Sequence, residues 1–100
     1  MAASRSGIPG RVVVVDDDRR MASTTAQWLC SQGWHASAAG SADEALQAIG
    51  RSRIDACLLD GGLPVGGSLR VASVLRTAWP EAALVVAAPA GTADLAGSPP

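Results

Sequence analysis

The chain contains no lysine, no tyrosine and no phenylalanine, and its eight cationic side chains are all arginine. Chemistry that depends on a lysine ammonium group is therefore excluded. A formal net charge of -1 leaves no electrostatic footprint for nucleic acid or an anionic membrane surface. No apolar stretch reaches the length of a membrane span, and the first ten residues lack the apolar centre of a signal peptide. The expected compartment is the cytoplasm. Cys30 and Cys57 have no metal-ligand spacing between them and are expected as buried free thiols. His35 is the single histidine and has no second ligand placed to make a metal site, so a structural role is expected.

What remains is a chain of 100 residues, 48% hydrophobic and 17% charged. That suits one globular domain with one core. Met1–Gly10 reads as a flexible N-terminal segment, 11–88 as the folded domain and 89–100 as a flexible Ala/Gly/Pro-rich tail. Arg11–Val15 is a β-branched run without alternation, which predicts a strand buried on both faces. A helix follows, capped by Asp17 or Asp18, with Met21, Thr25, Trp28 and Leu29 toward the core and Gly33 as its C-cap. Trp34–Ala38 is a weak second strand. Ser41 and Glu44 form a capping-box signature for a helix that carries Ala42, Ala45, Leu46 and Ile49 inward and ends at Gly50. Ile54–Leu59 is a third strand, with Asp55 at its solvated entrance. The Gly/Pro-rich loop 61–67 leads to a helix from Ser68 to Ala78 with Val71, Val74, Leu75 and Ala78 inward, and Pro80 enforces its end. Ala83–Ala87 is a fourth strand. Trp28 is expected in the core; Trp34 and Trp79 are expected as core edges or contact points.

The alternation β-α-β-α-β-α-β implies a parallel sheet with helices on both faces. Two of its apolar runs end in acid: Val12–Val15 in Asp16-Asp17-Asp18, and Ile54–Leu59 in Asp60. If the two strands are neighbours, their carboxylates meet at the C-terminal edge, where open α/β sheets place their ligands. Crowded carboxylates repel one another and raise each other's pKa unless a hard cation lies among them. Asp16-Asp17-Asp18 alone would serve equally well as a strand-end turn and helix cap; with Asp60 beside it, an Mg²⁺-type pocket becomes the stronger reading.

Val12–Asp18 and Asp60-Gly61-Gly62-Leu63-Pro64 together resemble the response-regulator receiver domains of two-component signalling. Asp17 and Asp60 lie 43 positions apart (60 − 17), about the family's separation. The resemblance covers residues 11 to about 88. It implies a flavodoxin-like fold, α/β and doubly wound, with strand order 2-1-3-4. It further implies that Asp60 accepts a phosphoryl group and that Asp16 and Asp17 hold Mg²⁺ with Asp60 and the Gly62 backbone carbonyl. The donor would be a sensor histidine kinase or a phosphotransfer protein, which makes the chain a signalling domain and not an enzyme.

The departures from the family pattern carry equal weight. Where the family places a Ser or Thr hydroxyl after its fourth strand, this chain has Ala87 or Ala88. The family's fifth-strand lysine has no counterpart in a lysine-free chain, and the family's fifth strand and helix are expected to be missing. Its switch aromatic lies on that same strand, and no Phe or Tyr exists here. A phosphorylation-independent pseudo-receiver acting through protein contact is therefore the alternative. Asp16-x-Asp18 also resembles the first motif of haloacid-dehalogenase-type phosphatases, but Arg19 and Arg20 follow it and the lysine that family requires is missing, so that reading is rejected. An uncovered fourth strand would leave a sheet edge open to a homodimer through Ala83–Ala88.

Overall fold

Four consecutive valines decide the centre of the molecule. In the computed structural model, which describes residues 10–87, β1 (Arg11–Val15) has all of Val12–Val15 buried, as expected for a strand covered on both faces. Around it runs a four-stranded, all-parallel sheet in the order β2-β1-β3-β4, with β2 at His35–Ala39, β3 at Ala56–Asp60 and β4 at Ala83–Ala87. The connections are three helices: α1 (Arg19–Ser31), α2 (Ala42–Arg51) and α3 (Gly67–Ala78). Val13 and Val15 join Ala45, Ile49, Cys57, Leu59, Val71 and Leu75 in the larger core, on the face covered by α2 and α3. Val12 and Val14 meet Ala22, Ala26 and Leu29 of α1 on the other face. This is the doubly wound, flavodoxin-like arrangement expected.

Several local expectations shift. Trp28 is not in the core: it is 61% exposed, and Met21 is exposed as well. The buried stripe of α1 is Ala22, Ala26 and Leu29, spaced i, i+4, i+7. Met21, Thr25 and Trp28 share that spacing one residue earlier, which turns them about 100° round the helix. Cys30 likewise faces outward, its thiol directed at the Ala36 carbonyl 3.4 Å away, while Cys57 is fully buried. Val74 and Ala78 are exposed rather than inward on α3. α2 continues through Gly50 to Arg51, and β3 begins at Ala56 and takes in Asp60. α3 begins one residue earlier than expected, at Gly67, where an added Cβ would stand 3.0 Å from Ala42 Cβ and 3.3 Å from Leu63 Cβ. Only the bare backbone brings the loop this close to α2.

Trp34 and Trp79 do sit at core edges; the Trp79 indole Nε1 donates to the Ile49 carbonyl at 2.9 Å. Gly33 closes α1 in the left-handed region (φ 99°), donating its N–H to Cys30 O. Asp55 is no mere solvated entrance. Its Oδ2 accepts the Arg11 N–H at 2.8 Å and its Oδ1 lies 3.3 Å from Arg53 Nε, so it fastens the start of β1 to the start of β3. Gly10 is buried and its carbonyl accepts the His35 N–H. The rest of the N-terminal segment, the 89–100 tail and Ala88 lie outside the described residues.

Candidate functional site

At the C-terminal edge of the sheet, β1 and β3 end side by side, Val15 paired with Leu59. The residues that follow or close those strands are Asp16, Asp17 and Asp60, and one carboxylate oxygen from each lies within 4.8 Å of the others. The structure therefore gathers the three carboxylates that the two motifs suggested. Asp18 leaves the cluster. As the N-cap of α1, its Oδ1 accepts the N–H groups of Arg20 (3.1 Å) and Met21 (3.2 Å). Three consecutive acids thus divide their work, and Asp18 takes the helix end because its N–H in turn donates to Asp16 Oδ1 at 2.9 Å.

Asp16 and Asp60 are partly buried and Asp17 is exposed. Desolvation pushes the Asp16 carboxyl above its ordinary value, and the neighbouring charges of Asp60 and Asp17 push the same way; the hydrogen bond from Asp18 N–H opposes them. No arginine among the described residues forms an ion pair with any of the three. Such a cluster offers oxygen ligands for a small divalent cation, which prefers a few carboxylates and keeps several waters.

The loop after β3 is held from both ends. Asp60 Oδ1 accepts the Gly62 N–H at 2.9 Å, while the Asp60 carbonyl accepts from Ser68 Oγ at 2.7 Å. Ser68 Oγ also accepts the Leu63 N–H at 3.2 Å, so one hydroxyl near the start of α3 pins the loop beneath the cluster. Sequence reasoning placed Ser68 only at a helix start; a serine just after a Gly-rich turn was the available signal. Between these anchors Val65 adopts φ 57° and is 94% exposed, a left-handed conformation that a β-branched residue rarely takes. Gly66 follows with φ 68°. Arg19, beside the acids in sequence, is turned away: its guanidinium holds Glu44, which also accepts the Gly40 N–H at 2.8 Å. Those two bonds hold the Glu44 carboxyl below its usual range.

A groove of about 320 Å³ opens beside the cluster, lined by Asp16, Asp60, Met21, Thr25, Leu58 and Ala87 among others. Ala87 is the register partner of Asp60, and its carbonyl accepts the Gly61 N–H. A methyl group thus stands next to Asp60.

The response regulator receiver domain model matches residues 12–97. The chain belongs to that family. Receiver domains are phosphoacceptor signalling domains, not enzymes. A response regulator from Burkholderia pseudomallei, solved with a phosphorylated aspartic acid, a calcium ion and citrate, is 26% identical with a TM-score of 0.73. The match covers 79% of this chain and 46% of that one, so this receiver domain spans less than half of that relative's length. A CheY-like receiver domain protein from Methanospirillum hungatei is 21% identical over 89% of this chain and 71% of its own, with a TM-score of 0.78. A Thermotoga maritima response regulator solved with Mg²⁺ and BeF is 23% identical over 85% of this chain and 75% of its own, with a TM-score of 0.72. The last two show the fold. No curated protein matches the chain.

Proposed function

We propose that this receiver domain accepts a phosphoryl group on Asp60, with Asp16, Asp17, Asp60 and the Gly62 backbone carbonyl holding Mg²⁺. The supporting observation is the convergence of three carboxylates within 4.8 Å, with no arginine paired to them among the described residues. In the transfer, an Asp60 oxygen bonds to phosphorus as the N–P bond of a phosphohistidine breaks. The bound cation would neutralise charge on the three equatorial phosphoryl oxygens. Asp60 is pre-aimed for this role, since the Gly62 N–H fixes Oδ1 and Ser68 fixes the backbone beneath it. The partner this reading requires is a sensor histidine kinase or a phosphotransfer protein, and the compartment is the cytoplasm, where both the phosphodonor and Mg²⁺ are at hand. The domain would act through contact with another protein.

One observation favours the second reading, a phosphorylation-independent interaction module. Ala87 presents a methyl group beside Asp60. Removing one preorganised donor from developing charge costs about 10²–10³ in rate, so a methyl group in place of a donor would make phosphorylation slow. Intact-protein mass after incubation with acetyl phosphate separates the two readings. A gain of one phosphoryl group that requires Mg²⁺ and vanishes in Asp60→Asn supports the phosphoacceptor; no gain in folded protein leaves the interaction module.

A further inference from the structure

Ser68 follows the first residue of α3 but does not cap that helix, whose N-cap is Gly66. Its hydroxyl turns back into the loop after β3 and makes two bonds of opposite sense. Its one proton goes to the Asp60 carbonyl at 2.7 Å, and its oxygen accepts the Leu63 N–H at 3.2 Å. One partly buried oxygen thus ties together the two ends of the turn from Asp60 to Leu63. The second bond reaches further than Leu63. Its N–H belongs to the same planar peptide as the Gly62 carbonyl, and in a trans peptide those two groups point in opposite directions. An N–H held toward Ser68 therefore holds the Gly62 carbonyl away from α3. Nothing else named in the loop does this. Gly61 and Gly62 are exposed and bring no side chain to brace that plane. The Gly62 N–H, donated to Asp60 Oδ1, fixes the peptide before Gly62 and not the one that carries its carbonyl.

We infer that Ser68 is a positioning residue for the cation: its hydroxyl sets the direction of the Gly62 carbonyl. The inference rests on the proposed assignment of that carbonyl, with Asp16, Asp17 and Asp60, to Mg²⁺. A peptide that swings freely must be ordered before its oxygen can bind, and the ordering is subtracted from the affinity. Ser68 orders it in the folded chain before any cation arrives. Mg²⁺ makes the requirement strict, because it tolerates little departure from octahedral geometry. The same hydroxyl holds the Asp60 backbone, so two of the proposed ligands answer to one side chain that touches no metal itself. Groups that orient a ligand in this way are worth about 10–100-fold in metal affinity.

Isothermal titration of the unmodified chain, Ser68→Ala and Ser68→Thr with Mg²⁺ tests this, under conditions where circular dichroism shows each protein folded. Ser68→Ala should bind Mg²⁺ about 10–100-fold more weakly. Ser68→Thr keeps the hydroxyl and should bind as the unmodified chain does. Without metal, the Leu63 amide should exchange slowly in the unmodified chain and in Ser68→Thr, and faster in Ser68→Ala, read by NMR. A serine that served only stability would leave the affinity of folded protein untouched. If Ser68→Ala fails to fold, Ser68→Cys, which keeps the shape and weakens both hydrogen bonds, takes its place. Equal Mg²⁺ affinity with and without the hydroxyl, or a loss in Ser68→Thr as large as that in Ser68→Ala, overturns the inference and leaves the Mg²⁺ site standing. An unmodified chain that binds no Mg²⁺ overturns both.

Discussion

Aspartates stand at both ends of the sheet, and the two ends treat them differently. At the N-terminal edge Asp55 has the Arg11 N–H and the Arg53 guanidinium as partners. At the C-terminal edge Asp16, Asp17 and Asp60 are drawn together, and no ion pair reaches any of them among the described residues. A negative charge that is satisfied by its surroundings is explained by folding alone. A set of like charges with no ion-pair partner among the described residues, one of them with its pKa raised, works against folding and fits a ligand that arrives later.

The widest separation between the two edges is expected from paired substitutions. Asp60→Asn should abolish phosphoryl acceptance from acetyl phosphate, read by intact mass. Asp55→Ala should leave acceptance intact and lower stability by about 1–2 kcal/mol in denaturant unfolding, through the lost hydrogen bond to Arg11 and the exposed ion pair. Equal loss of acceptance in both would erase the distinction. Next comes Ala87→Thr, which puts a hydroxyl beside Asp60. It should speed phosphorylation by about 10–10²-fold, somewhat less than an evolved donor supplies. An unchanged rate would mean that the methyl is not the deficiency.

A third experiment moves to the core. Burial pushes the Cys57 thiol from 9.0 up to about 11. The unfolded chain releases this proton first, so stability holds below pH 9 and falls as pH rises toward 11. The loss should reach about 2–3 kcal/mol, from about 1.4 kcal/mol for each pH unit. Cys57→Ala should flatten that decline in urea unfolding, despite a lower starting stability. The smallest effect belongs to Asp16. Its native pKa is raised, so its own contribution to metal-free stability is greatest below 3.8 and falls as pH climbs from there through the higher native value. Asp16→Asn keeps the acceptor for Asp18 N–H and should stabilise metal-free protein at neutral pH by at most about 1 kcal/mol, since solvent screens the site.

How much of this was legible in the sequence depends on how local the cause is. The valine run, the acids behind it and Ser41 before an amphipathic stretch each act within a few residues, and those elements lie where the pattern puts them, within a residue or two. The 2-1-3-4 order rested on the family resemblance, because periodicity says nothing of which strands are neighbours. Trp28 misled because a helix stripe of Ala22, Ala26 and Leu29 has the same spacing as Met21, Thr25 and Trp28, and the tight approach to β1 favours the smaller side chains. The roles of Ser68 and Asp55 were legible at most as a serine after a Gly-rich turn and an acid at a strand entrance, since the backbone groups they bind lie 8 and 44 residues away. Which of three adjacent acids caps α1 was equally undetermined, for it depends on the angle at which the chain leaves β1.

The most direct test of the contrast is an isothermal titration of the protein with Mg²⁺, alongside Asp17→Asn and Asp55→Asn. One bound Mg²⁺ is expected for the unmodified chain and for Asp55→Asn. Asp17→Asn should weaken binding by about 100-fold or more, since even groups that only support a ligand are worth 10–100-fold. No binding at millimolar Mg²⁺, or the same binding in all three proteins, would contradict the account.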